Sequence, residues 1–436
     1  MPENFFSQSE ARIISKLTWR IMPFLFLLYI IAYIDRINVG FAALQMQQQL
    51  GFSDAVYGAG AGVFFTGYML FQVPSNWMLE KVGARRWIAF LIFTWGIVSC
   101  SMMFITSVKS FYTMRFLLGV TEAGFFPGMI FYLKLWFPAA ARARSVALFM
   151  TASPMAGVVG GPISGALLNL KHAGLAGWQW MFLLEGVPAI LMSGVVLYYL
   201  KDKPQDAPWL SESECNWLVG KLEAERHAVH ASDMKMWHVI KLPSVWLLTF
   251  VYFGMSATIY GITFWLPKLI RAQAGFSNLQ IGFLSAIPYV AAAVVMVLVG
   301  QSSDRTGERR WHIAACALVG MIALIVAAYT STFAIMLAAI SVALMAANSM
   351  YGPFWALPPA LLPSAISAVS IAFINSLGNL GGFAGPYAIG LLKTSSGAYR
   401  QGLLAVSAVL AVTACITLVL RSPSRKPKEA PATTTV

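Results

Sequence analysis

Long apolar runs separated by short polar breaks recur along the whole chain. Windows of about twenty apolar residues, enough at 1.5 Å rise per residue to cross a bilayer, predict twelve helices. They fall at roughly 17–44, 54–79, 87–107, 110–136, 144–170 and 178–200, and then at 243–271, 278–300, 311–330, 333–361, 366–392 and 398–420. The polar segment 201–242 separates the two sets. The expected organisation is a six-helix bundle at 1–200, a linker at 201–242, and a second six-helix bundle with a tail at 243–436. In the linker, Ser211-Glu212-Ser213-Glu214 reads as a capping box opening a short helix towards His227. Trp209, Trp217, Leu218 and Leu222 are then placed to rest on a membrane surface, and His227, His230 and His238 read as solvated loop residues.

Composition supports an all-α integral membrane protein. Of 436 residues, 58% are hydrophobic and 11% charged, more apolar surface than a soluble chain of this length can bury. Cys100, Cys215, Cys316 and Cys415 are widely separated, with no metal or redox spacing, so no metal or cofactor is expected. The first twenty residues are mixed polar and lack a convincing cleavage site, so no removable signal peptide is expected. The net charge of +13 reports topology before any partner, and nothing suggests nucleic acid. With the N-terminus inside, 22 of the 30 Lys and Arg fall on cytoplasmic segments, 6 on outer segments, and Arg36 and Arg115 within the membrane. The bias places both termini in the cytoplasm. The expected location is a cell membrane of bacterial inner-membrane type.

Two phrases repeat at one offset. Glu80-Lys-Val-Gly-Ala-Arg-Arg-Trp87 matches Asp304-Arg-Thr-Gly-Glu-Arg-Arg-Trp311, 224 residues on. Gly157, Gly161 and Pro162 match Gly381, Gly385 and Pro386 at the same 224. Two separate phrases at one offset point to two six-helix halves in parallel repeat.

Within this apolar background Asp35 and Arg36 stand side by side in the first helix. Charges at such depth cost roughly 2.5–3.5 kcal/mol each on insertion scales and mark a polar pathway. Arg36 shares a helix face with Tyr33 and Tyr29, a stripe suited to an anionic ligand; Asp35 points towards another helix. Arg115, Gly119 and Glu122 share a face of the fourth helix, where Gly119 leaves room for another backbone or a ligand. Glu185 lies in a further apolar run and reads as structural. The 224 offset maps Asp35, Arg36, Arg115 and Glu122 onto Ile259, Tyr260, Ala339 and Ala346, so intramembrane charge is confined to the first half. The second half offers Tyr260, Asn348, Trp355, Asn375 and Asn379. Asp35 and Glu122 are candidate proton carriers; the bland alternative for these charges is a fixed structural network.

The loop Gly300-x-x-x-Asp304-Arg-x-Gly307-x-Arg309-Arg310 resembles the signature of the major facilitator superfamily, and the first-half copy has Asn76 at the leading glycine. Asp35-Arg36, together with Arg115-Phe-Leu-Leu-Gly119-Val-Thr-Glu122, resembles its anion:cation symporter branch, which takes up tartrate, sugar acids, phthalate, hydroxyphenylacetate and similar anions. The resemblance implies a central site reached by alternating access. It also implies that Tyr33, Arg36, Tyr68, Trp355 and Asn375 contact substrate, that Asp35 and Glu122 couple protons, and that Arg115 serves both. Ser153 falls where relatives place a polar ligand contact. Glu80, Arg85, Arg86, Asp304, Arg309 and Arg310 read as a conformational latch in the cytoplasmic loops. The expected activity is import of a small organic carboxylate by a monomer, with protons and with sodium left open. The alternatives are an anion or drug exporter on the same fold and, third, a membrane enzyme. Against the enzyme, the chain lacks an intramembrane His-Asp, Ser-Lys or paired-Asp arrangement.

Overall fold

The computed structural model describes residues 7–228, 239–273, 275–362 and 364–420. His230 and His238, and the side chain of His227, lie outside the description. Six long helical spans come first: α1 (Gln8–Leu50), α2 (Asp54–Val82), α3 (Ala84–Phe104), α4 (Val108–Trp136), α5 (Ala139–Leu167) and α6 (Gly177–Tyr199). The linker helix α7 (Glu212–Ala228) follows. The second set is α8 (Pro243–Gln273), α9 (Asn278–Thr306), α10 (Arg310–Tyr329), α11 (Phe333–Leu361), α12 (Ser364–Gly378), α13 (Gly381–Ser396) and α14 (Tyr399–Val419).

Eleven of the described helices are long and apolar enough to cross a membrane, and α12 and α13, of 15 and 16 residues, together supply the twelfth crossing. The expected continuous helix at 366–392 is thus divided at Asn379-Leu380. Glycines flank the turn, and Asn379 folds its side-chain amide back onto Asn375 O at 2.8 Å. The first span is longer than expected at both ends. A capping box at Ser7 and Glu10 starts it upstream, and Gly51 in the left-handed conformation (φ 68°) ends it.

Other spans are interrupted too: α1 at Asn38, α4 at Ala123-Gly124, α5 at Thr151, and α11 at Met350 and Ala356. Every interruption lies within a few residues of a polar residue singled out from the sequence. Broken helices present side chains and backbone groups to a bundle interior that a regular apolar helix would seal.

The halves meet by reciprocal packing, α2 against α13 and α5 against α9. These pairs exchange under the 224-residue repeat, as a two-fold relation requires. Contact is backbone to backbone. A methyl group added at Gly161 would lie 2.6 Å from Gly282 O, and one at Gly58 would lie 2.5 Å from Pro386 O. At this end Asp54 bridges the halves: one carboxylate oxygen pairs with Lys268 and the other lies 2.9 Å from Lys393 Nζ. The Ala55 amide donates to Thr394 Oγ1 at 2.9 Å, and the Tyr57 hydroxyl to Phe264 O at 2.6 Å.

At the opposite end α7 docks on the first half. Ser211 and Glu214 form the expected capping box. Lys16 pairs with Glu214 at 2.6 Å and Arg142 with Glu225 at 3.1 Å. Lys16 holds the Glu214 carboxyl below its ordinary pKa, helped by the Ser211 amide. The four apolar linker residues do not form the expected membrane-resting face. Trp209 stacks on Trp136, Trp217 donates to Glu10 Oε1 at 3.0 Å, Leu218 is buried, and Leu222 packs against the core. The α1 extension and the end of α4 supply that surface, so protein covers the apolar face. The loop residues make no ion pair across the halves among the described residues: Arg85 faces Asp202 at the start of the linker, with its amide 2.9 Å from Oδ1, and Arg309 pairs with Asp304 at 2.6 Å. Arg310 donates to Leu420 O, whereas Glu80 and Arg86 are exposed.

Candidate functional site between the halves

A narrow cavity, continuous with solvent, lies between the two bundles. The first half contributes Tyr29, Tyr33, Arg36, Tyr68 and Ser153 to its wall, and the second Tyr260, Asn348, Trp355, Asn375 and Asn379. The sequence-derived stripe Tyr29-Tyr33-Arg36 therefore faces a cavity, and so do the five second-half residues picked out as uncharged partners.

Arg36 is its central group. Nε donates to Glu122 Oε1 at 3.0 Å, and Nη2 contacts the same oxygen. Nη1 donates to the Tyr260 hydroxyl at 3.0 Å. Tyr260 is the residue onto which the repeat maps Arg36, so repeat mates bond to each other across the pseudo-two-fold. The guanidinium also lies 5.1 Å from the Phe64 ring centre and 5.4 Å from that of Tyr68, within cation–π range. Glu122 is 1% exposed, and its Oε2 has no hydrogen-bond partner.

Asp35 points the other way, as the 100° step between adjacent helix residues requires. Ser99 Oγ donates to its Oδ1 at 2.7 Å and Trp95 Nε1 to its Oδ2 at 3.1 Å. Both partners come from α3, and no cation pairs with Asp35 among the described residues. Arg115 stands behind the cavity wall: it is fully buried, donates from Nη2 to Ala61 O at 3.0 Å, and lies between the Phe64 and Phe264 rings. Its Nε and Nη1 are unpartnered. Gly119 makes room for backbone, because a side chain there would run into Phe64 O. Arg115 thus reaches the cavity through Phe64 and Glu122, without contributing to the wall.

The wall also holds Tyr252, Tyr351, Phe126, Met150, Pro154 and Met296, which were not singled out from the sequence. Tyr351 had a usable signal, standing three residues after Asn348 and four before Trp355. The apolar members had none; Phe and Met are common throughout the helices. Beyond the cavity from Asp54, Ser376 Oγ donates to Gln72 Oε1 at 2.8 Å and ties α12 to α2.

The sequence pattern of the Major Facilitator Superfamily matches residues 25–386. A protein of Agrobacterium vitis with the provisional name tartrate transporter is 48% identical over 421 residues, 96% of this chain and 94% of its own. A protein of Acinetobacter baumannii named quinolone resistance transporter is 39% identical over 96% of this chain and 97% of its own. Among solved structures, the inward-open xylose transporter XylE of Escherichia coli superposes with a TM-score of 0.75 at 16% identity, covering 94% of this chain and 97% of that one, a likeness of fold. A two-fold helical bundle with a solvent-connected cavity on its axis, and this sequence match, make the chain a multi-pass membrane transporter of the major facilitator superfamily and not an enzyme.

Proposed function

We propose that the chain takes up a small organic carboxylate, of tartrate, sugar-acid or aromatic-acid type, by proton symport through alternating access. The observation that carries the reading is the Arg36–Glu122 pair in and behind the cavity wall, with one Glu122 oxygen free. While Glu122 is ionised, it compensates the guanidinium. A proton on Glu122 leaves that charge for an incoming carboxylate, so proton and anion favour each other's binding. The need for coupling is electrical: an inside-negative potential opposes anion entry by about 2.3 kcal/mol per charge per 100 mV. Asp35, buried without a cation, is a second proton position. Arg36, Tyr33, Tyr68 and Ser153 would hold the substrate from one side and Trp355 and Asn375 from the other, with Arg115 setting the field behind them. The charge bias favours cytoplasmic termini and linker, in a bacterial-type inner membrane. The loop residues Glu80, Arg85, Arg86, Asp304, Arg309 and Arg310 would then act as the latch of the outward-open state.

The resistance transporter named among the relatives favours a second reading, export of a carboxylate-bearing drug through the same cavity. Proteoliposomes of known orientation separate the two. An inward proton gradient should drive tartrate, galactonate or nicotinate uphill under the first reading. Asp35→Asn and Glu122→Gln should keep substrate-for-substrate exchange while losing accumulation. Full accumulation by the double variant would sink the coupling assignment, and outward-only, proton-exchanged flux would favour export.

A further inference from the structure

Glu185 reads from the sequence as structural, and it takes no part in the cavity between the halves. Its surroundings are unusual for a structural carboxylate. It is 6% exposed within α6, and Ser164 Oγ on α5 donates to its Oε1 at 2.7 Å. Its Oε2 has no hydrogen-bond partner, and Glu185 makes no ion pair among the described residues. The Asn38 side chain, at the interruption of α1, faces the carboxyl group. Asn38 is completely buried, and neither its Oδ1 nor its Nδ2 has a hydrogen-bond partner. The other titratable groups near Glu185 are Asp35 on α1 and Cys100 on α3, whose Sγ donates to Leu183 O at 3.6 Å and lies beside Gly186. Each could add only negative charge. Among the described residues no base compensates Glu185.

We propose that Glu185, with Asn38 and Ser164, is a proton-binding site distinct from Asp35 and Glu122, and that its occupancy follows closure of α5 on α9. A bare carboxylate in such a place keeps its desolvation cost with no counter-charge. The neutral acid fits the donors and acceptors present: the Ser164 hydroxyl donates to Oε1, and the acid O–H on Oε2 donates to Asn38 Oδ1. The step is a simple transfer, in which water at the Asp54 end gives a proton to Oε2 and takes it back later.

The link to closure is Ser164 itself. It lies between Gly161, whose added methyl would sit 2.6 Å from Gly282 O, and Gly165, whose added methyl would sit 2.5 Å from Asn278 O. When α5 parts from α9, the helix carrying the Ser164 donor moves and water gains access to the carboxyl. The closed state then binds one more proton at Glu185 than the open state, so acidification favours closure through this group. Asp54 works with the opposite sign, because a proton there weakens its hold on Lys268 and Lys393.

This inference builds on the proton-coupled reading, but its test needs no substrate. Spin labels at Gln48→Cys and Ser395→Cys, in a background without the native cysteines, report the open-to-closed ratio at the Asp54 end. The slope of its logarithm against pH counts the protons that accompany closure. Glu185→Gln, which mimics the neutral acid, should lower that count by one over the range where Glu185 titrates. Ser164→Ala, which keeps the acid and loses one hydrogen bond, should move the midpoint and leave the count unchanged. An unaltered count in Glu185→Gln overturns the proposal. If that variant does not fold, an unmoved midpoint in Ser164→Ala overturns it. Failure of proton-driven uptake with an intact Glu185-dependent slope would reject the symport reading alone.

Discussion

Asp54→Asn is the most informative single change, because one carboxylate serves two lysines from the other half. The side chains of Asp54, Lys268 and Lys393 are 20%, 15% and 18% exposed, so the cluster is neither dry nor freely solvated. A fully exposed pair contributes about 0.2–1 kcal/mol, and a hydrogen bond to a charged group about 1.5–3 kcal/mol. An intermediate contribution of about 1–2 kcal/mol per lysine fits this exposure. Asparagine keeps an acceptor for one lysine and loses the charge for both. The net loss on the closed side is therefore about 1.5–3 kcal/mol, or roughly 10- to 150-fold in the closed-to-open ratio. The backbone contacts at Gly58 and Gly161 survive the substitution, so the protein stays folded while the equilibrium moves. Pulsed electron–electron resonance between labels on Gln48→Cys and Ser395→Cys should show a new, longer distance. High salt should narrow the difference from the parent protein by screening the parent's pairs. An unchanged distance distribution at low salt would refute the view that the Asp54 cluster holds this end shut.

Further outcomes follow from the same geometry. Arg36→Lys keeps a charge but cannot hold Glu122, Tyr260 and a carboxylate together, so binding of a cognate acid should weaken by about 1.5–3 kcal/mol in calorimetry, and Arg36→Ala should nearly abolish it. Gly161→Ala places a methyl against Gly282 O and should disfavour closure by about 1–3 kcal/mol, read with the same label pair. Asp304→Asn frees Arg309 in an exposed loop far from Arg36, so it should slow turnover and leave affinity nearly intact; a large affinity loss with normal turnover would count against the latch. An impermeant thiol reagent outside intact cells should modify Ser107→Cys and spare Ser211→Cys, and labelling at 211 from outside would overturn the assigned topology.

The apolar runs made the spans legible because a bilayer crossing leaves little freedom in length or composition. The repeat made their pairing legible, since it equates α2 with α9 and α5 with the broken α12–α13. Arg36, Tyr33 and Tyr29 could be placed on one face by helical spacing alone, and the direction of Asp35 followed from the same rule. Spacing along one helix does not say what a neighbouring helix brings, however. That is why the position of Arg115 behind Phe64 and the Glu185–Ser164 contact needed three-dimensional structure. The linker showed the same limit: its apolar residues were visible, but the protein surface that covers them comes from the start of α1 and from α4.

The one-sided distribution of buried charge also bears on how the chain is made. The first half leaves the ribosome before the second. Asp35 finds Ser99 and Trp95, Arg36 finds Glu122, Arg115 finds Ala61 O, and Glu185 finds Ser164, all within residues 1–200. None of these groups has to wait for the second half to find its first partner, although Arg36 Nη1 gains the Tyr260 hydroxyl only when α8 arrives. The second half, with no charge at the repeat-equivalent positions, can insert against a scaffold already assembled. Biogenesis therefore meets its costliest residues first and gives each a partner within the half that is made first.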